Sequence, residues 1–363
     1  MELLLTHTSA LEVLRRPGVQ WRDAEAVVPR RAPTRSAMEV LMARSRLLAS
    51  LTGPVELLVS AASARINNDL VRTHVMSAEL PAGSVVELMP GVRAASPELL
   101  PVLMAPALTE LELICLLSEL LGTYAIAPQH EKGMWQRREP LTTPDRIRAL
   151  LARLGPVRGA GMVRRALGKA CVGSASPRET KLSLRLGLPP RMGGWGLKVL
   201  SMNDPVEVRR IRDAMSVGVR KPDILLRARG RRGRGVAVEY DGRDHEEEQQ
   251  QHARDIERHN ELVAMGFVEF IVARRQYKDL AYMDGLVARI RGELGLPPEV
   301  LEPGEAERGR ALRQRLYEEL ELIDGVRWDG RARERARNAA GKAGATDSVD
   351  DGWNVVPVEA YGL

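Results

Sequence analysis

The chain has 363 residues, 44% of them hydrophobic, with a formal net charge of +6 and two cysteines. That length buries one or two cores plus appendages, and two cysteines in apolar or small-residue settings exclude a disulfide framework or a cysteine-built metal site. The apolar run 111-LELICLLSELLG-122 is broken by Glu112 and Glu119 and is too short to span a bilayer. MELLLTHTSALEVL lacks the order of a signal peptide, so a cytoplasmic protein with no membrane association is expected.

In chain order, LLLTH followed by Ser9-Ala10-Leu11-Glu12 predicts a strand running into a helix with a capping box, and VELLVSAAS and SVVELM have strand character. Ser96-Pro97 predicts a further helix start, and Thr109-Glu110-Leu111-Glu112 opens a helix that Gly122 closes. These elements give an α+β domain over residues 1–139. Residues 140–173 read as a helical connector, with TTPDRIRALLARL capped at its start. Residues 174–296 read as a second α+β unit, a three-layer domain with a mixed sheet flanked by helices. Its order is the helix ASPRETKLSLRLGL, an unassigned stretch, the strands KPDILL and GVAVEYDG, a helix, the strand FVEFIV and a final helix. Residues 297–363 read as a charged helix and a tail, from Gly330 onward, too poor in apolar residues to order.

Chemistry concentrates in the second unit. Alternation along 238-VEYDGRDH-245 puts Glu239 and Asp241 on one face and Tyr240 on the other. Asp223 opens the preceding strand, and antiparallel pairing of the two strands would bring it to Glu239. Clustered carboxylates repel unless a cation or a raised pKa intervenes, and hard Mg²⁺ takes carboxylates and waters. The connecting loop carries Arg227, Arg229, Arg231, Arg232 and Arg234. It reads either as a solvated hairpin tip or as a phosphate contact, joined by Arg254 and Arg258 on the following helix. His245 is a candidate proton shuttle or a helix cap. His252 and His259 follow at seven-residue spacing, about 10 Å per step on a helix, too far to share one metal. Glu179 closes a Ser176-x-x-Glu179 capping box, which competes with a role as a metal ligand. Phe267 and Phe270 read as core.

Pro222-Asp223, Glu239-x-Asp241-Gly242-x-x-His245, Arg258, Leu262 and Gly266 together resemble the very-short-patch-repair-endonuclease-like branch of the PD-(D/E)XK phosphodiesterases. The helix Ser176-Pro177-Arg178-Glu179-Thr180 fits the same pattern, and the resemblance covers roughly the last third of the ordered chain. It implies a nuclease with Mg²⁺ or Mn²⁺ at Asp223, Glu239 and Asp241, with Glu179 as a further ligand, acting on nucleic acid, most simply DNA. Asp241 stands where the family motif has lysine, which leaves the general base unassigned. The N-terminal region, with SPELL and ELELICLLSELLG, is similar to type IV abortive-infection antitoxin-like proteins. That similarity implies the alternative of a non-catalytic, regulatory nucleic-acid-binding protein with a cognate toxin as partner.

Overall fold

The computed structural model describes residues 2–136, 138–210, 216–226, 235–242, 260–298 and 302–347. It has the expected mixture of helices and mixed sheets. The first sheet is built from β1 (Leu3–Leu5), β2 (Arg22–Asp23), β3 (Val55–Val59), β4 (Val71–Val75), β5 (Val85–Met89) and β6 (Val92–Ala95), in the order β2-β5-β6-β1-β3-β4. β1 runs parallel to β6 and antiparallel to β3, and β3 is parallel to β4. Every residue of β1, β3 and β6 is buried, as in a sheet covered on both faces, and the two charged side chains among them, Glu56 and Arg93, are paired.

Helix α1 (His7–Leu14) begins two residues before the expected capping box. Ser9 is therefore inside the helix, where its hydroxyl accepts the Glu56 N–H at 2.9 Å and ties α1 to β3. Helices α2 (Arg35–Arg44) and α3 (Arg46–Ala49) lie between β2 and β3 in sequence, and α4 (Leu100–Met104) follows β6. Helix α5 (Glu110–Leu120) has the expected capping box: Thr109 Oγ1 accepts from Glu112 N at 3.2 Å, and Glu112 Oε2 accepts from Thr109 N at 2.8 Å. The short hairpin β7 (Ala125–Ile126) and β8 (Met134–Trp135) follows.

The connector is helical, with α6 (Pro144–Arg153) capped by Thr143 and followed by α7 (Ala160–Leu167). Ile147, Leu150, Val163 and Ala166 belong to the same hydrophobic core as Leu4 of β1 and Val238 of the second sheet. Apolar contact is thus continuous from the first sheet through the connector.

The second unit starts with α8 (Pro177–Gly187). The stretch left unassigned from sequence contains β9 (Val199–Ser201) and a separate hairpin, β10 (Val206–Arg209) with β11 (Val217–Arg220). The main strands β12 (Ile224–Leu226), β13 (Gly235–Asp241) and β14 (Phe267–Ala273) form a sheet in the order β14-β13-β12-β9. β12 is antiparallel to both neighbours and β13 is parallel to β14. Helices α9 (Arg274–Lys278) and α10 (Leu280–Glu293) follow.

The sheet has two unlike faces. Val236, Val238 and Tyr240 face the large core. Ala237 faces a small second cluster with Val208, Leu225, Leu262 and Phe267. Phe267 and Phe270 are both packed, as expected, but on opposite faces. Under the first face, Arg185 is almost fully buried among Tyr277, Tyr317 and Trp195, at 4.6, 5.0 and 5.3 Å from the ring centroids, and donates to the Tyr277 carbonyl.

Helix α11 (Pro303–Leu322) was expected. Residues 330–347, expected to be disordered, form α12 (Gly330–Asp347). Specific contacts replace the missing apolar stripe. The buried carboxylate of Glu112 accepts Gly330 N–H at 2.8 Å, Arg331 Nε donates to Leu108 O at 2.7 Å, and Arg337 pairs with Glu319. The turn before it is held in the same way, with Arg15 bridging Glu119 (2.8 and 2.7 Å) and the Gly325 carbonyl (2.7 Å).

Candidate active site

Residues 227–234, between β12 and β13, and residues 243–259, between β13 and β14, lie outside the described residues. His245, Arg227, Arg229, Arg231, Arg232, Arg234, Arg254 and Arg258 fall there, as do His252 and His259. Asp223, Glu239, Asp241 and Glu179 are described.

The β12–β13 ladder pairs Ile224 with Val238, Leu225 with Ala237 and Leu226 with Val236. Asp223 lies one residue before the Ile224–Val238 pair that ends this ladder, and Glu239 one residue after it. The expected hairpin is therefore present but shorter, and Arg220 belongs to β11, paired with Val206. The ladder ends for a definite reason. Pro222 has no N–H, and its carbonyl accepts from Asn203 N at 2.9 Å. The Tyr240 N–H then goes to the Asp223 side chain, with Oδ2 at 2.8 Å. Asp223 thus closes the end of the sheet.

Glu239 and Asp241 share the face of Ala237, that of the small cluster, and are partly exposed at the carboxyl end of β13. Asp223, just before β12, joins them at the same end of the sheet through its bond to Tyr240 N. Asp241 lies about 7 Å further along its strand from Glu239. A further carboxylate on this face was missed in the sequence. Glu269 of β14 is registered beside Ala237 and is diagonal to Glu239. Its only signal is an acid inside the otherwise apolar strand FVEFIVA.

Tyr240 turns the other way, edge-on to Tyr277 at 5.9 Å. Burial raises its hydroxyl pKa against the opposing charges of Arg178 and Arg274. Glu179 sits at the start of α8, whose Leu182, Leu184 and Leu186 pack in the large core. Ser176 Oγ accepts Glu179 N at 3.1 Å, and Glu179 Oε2 accepts from Ala175 N at 2.9 Å and Asn203 Nδ2 at 2.8 Å. The glutamate therefore does local capping work, one residue further back than a capping box. It reaches the Pro222-Asp223 turn through Asn203, whose φ of 54° is a left-handed conformation that asparagine tolerates.

The acid-bearing face is flanked by a buried ion pair. Glu261, inaccessible to solvent, pairs with Arg220 at 2.5 Å and Arg210 at 3.5 Å, and so fastens the β10–β11 hairpin to the helical turn at 260–264. Among the described residues no group of three or more His, Cys, Asp or Glu side chains converges tightly enough to hold a metal by itself. A Mg²⁺ bound at this end of the sheet would have Asp223 and Glu239 as its carboxylate ligands. That set fits an ion bound through one or two carboxylates and otherwise by water.

No protein-family model, curated protein or solved structure matches the chain. Among the described residues no helix is long and apolar enough to cross a membrane.

Proposed function

We propose that the protein is a metal-dependent endonuclease of the cytoplasm that hydrolyses nucleic-acid phosphodiesters, with DNA as substrate. The observation that carries this reading is the placement of Asp223 just before the Ile224–Val238 pair that ends the β12–β13 ladder, with its side chain accepting the Tyr240 N–H beside Glu239, and with Asp241 two residues further along β13. A helix, three successive sheet strands and a fourth strand parallel to the third surround that pair, an order that supports the resemblance to PD-(D/E)XK phosphodiesterases.

In this reading Asp223 and Glu239 hold Mg²⁺ or Mn²⁺. The bound ion supplies Lewis-acid stabilisation and lowers the pKa of a coordinated water. The chain's own residues position the site. Tyr240 N–H fixes the Asp223 carboxylate, and Asn203 fixes the turn that carries it. Asp241 extends the negative surface, and His245 is the candidate for proton transfer. The arginines at 227–234, with Arg254 and Arg258, supply phosphate contacts.

A second reading is favoured by Asp241 in the place of the motif lysine. The sheet would then serve a non-catalytic regulator that binds nucleic acid and answers to a cognate toxin. One experiment separates the two. Purified protein is incubated with duplex, single-stranded and RNA substrates in Mg²⁺, Mn²⁺ or EDTA. The nuclease reading expects divalent-dependent cleavage that Asp223→Asn abolishes, while the variant keeps its circular dichroism spectrum. Binding of the same substrates without cleavage in any metal would establish the regulator.

A further inference from the structure

A cavity of about 1100 Å³ lies between β3–β4 of the first sheet, α4, and the turn that leads into α12. Its floor is a stack of two imidazoles, His7 on His74, with ring centroids 3.5 Å apart. His7 has φ 44°, a left-handed conformation that is uncommon outside glycine and asparagine and clusters at functional sites. Thr6 Oγ1 lies 3.1 Å from His7 Nδ1. Burial and the neighbouring His74 lower the His7 pKa to about 3, so the lower ring is neutral.

Glu56 is the carboxylate of the cavity wall, and its bonds are committed. Thr8 N and Oγ1 donate to Oε2 at 2.7 and 2.5 Å, and His74 Nε2 lies 3.3 Å from Oε1. Burial would raise this carboxyl, but the bonds from His74 and Thr8 outweigh it and hold the pKa at about 2. Three arginines line the cavity with this single carboxylate. Arg72 is 3.8 Å from Glu56, whereas Arg65 and Arg158 have no carboxylate or carbonyl partner among the described residues. The wall thus carries an excess of about two positive charges, counting ordinary ionisation states. Trp328 also lines the cavity, and its buried indole N–H has no acceptor among the described residues. Leu58, Met76, Leu103 and Met104 make the remaining wall apolar.

A surplus of donors, a charge excess of two and an adjacent apolar wall specify the ligand. It must be rich in acceptors, dianionic, and joined to an apolar or planar body. We propose that this cavity binds a small phosphate monoester, its phosphoryl group held by Arg65, Arg72 and Arg158 and its body packed on the wall of Met76, Met104 and Trp328. His74 lines the same cavity and reports the bound group through its ring resonances. This site is independent of the metal reading and is tested in EDTA.

The probes are inorganic phosphate and phenyl phosphate, added to the full chain and followed by tryptophan fluorescence and by the imidazole resonances of His74, assigned with His74→Asn. Both probes are expected to saturate, to shift His74, and to change a fluorescence component that Trp328→Phe lacks. Phenyl phosphate should bind about tenfold tighter than phosphate, because its ring buries apolar surface. Arg65→Ala with Arg158→Ala should weaken both probes at least about tenfold without lowering the melting temperature, since neither side chain has a carboxylate or carbonyl partner among the described residues. Unmoved His74 resonances, or unchanged affinity in the double variant, would overturn the proposal. Binding of a 5′-phosphorylated oligonucleotide where phenyl phosphate fails would also overturn it, in favour of a nucleic-acid end.

Discussion

Gly330→Ala is expected to destabilise the protein, although helix propensity alone argues the reverse. Gly330 is the first residue of α12, and alanine there gains up to about 1 kcal/mol in an isolated helix. The new Cβ, however, would lie 2.5 Å from Glu112 Oε2, 2.6 Å from its Cδ and 2.7 Å from Oε1. That carboxylate is not free to swing away. It is almost fully buried, closes the capping box on Thr109, accepts Gly330 N–H, and lies 3.9 Å from Arg333. Displacing it weakens two hydrogen bonds to a charged acceptor, each worth about 1.5–3 kcal/mol. The bonds outweigh the propensity, and a net loss of about 2 kcal/mol follows, a fall in melting temperature on the order of 5 °C. Gly304→Ala provides the control. It too lies in the first turn of a helix, but its added Cβ meets nothing nearer than Arg308 Nη1 at 3.7 Å, so it should be neutral or slightly stabilising. Thermal and urea denaturation of both variants decide the matter. If Gly330→Ala matches or exceeds the wild type, Glu112 yields freely and the shared cap contributes little.

Acidification should weaken the fold through His7. Its pKa is about 3 when folded against an ordinary 6.5, so between these values the unfolded chain binds a proton that the folded chain refuses. Stability is whole above about pH 6.5, falls progressively toward pH 3 through His7, and loses more from about pH 4.5 down to about pH 2 through Glu56. The charged neighbours are His74, Glu56 and Arg72. His7→Asn, which tolerates the same backbone, should lose less of its urea midpoint between pH 7 and pH 5, and parallel losses would place the titration elsewhere. Glu261→Ala should cost about 3–5 kcal/mol by leaving Arg220 charged and buried without its partner, whereas Glu261 and Arg220 replaced together by Met should recover much of that loss. A double variant no better than the single one would show that packing, not the stranded charge, sets the cost.

What the sequence revealed about the site depended on period-two arithmetic. The run of alternate residues through Glu239 and Asp241, and the strand ending at Asp223, are local patterns that antiparallel pairing converts into proximity. Glu269 escaped because β14 joins β13 by a parallel crossover, and the register of a parallel pair is not written in any turn. The hairpin at β10–β11 escaped because its strands are short and charged. Ser9 looked like a helix cap because the true start, at His7, has a backbone conformation that no propensity favours. The His7, Glu56 and His74 cluster joins residues 18 to 67 positions apart, with no spacing rule to announce it. Helix α12 was misjudged because composition counts apolar residues and cannot see that Glu112, far away in the chain, receives its first N–H.

The bridge from Arg15 to the Gly325 carbonyl spans 310 positions of sequence, and the bond from Gly330 to Glu112 spans 218. Loop closure of that length is entropically slow, and proteins dominated by such contacts fold late and expose intermediates. During synthesis the first sheet and α5 emerge long before residue 325. Arg15 can meet Glu119 early, but its third acceptor arrives only after the second sheet has been made. Until then the cavity of His7 and His74 lacks the wall that carries Trp328. The last contacts to form in the chain's folding are therefore the ones that finish a pocket built from its first residues.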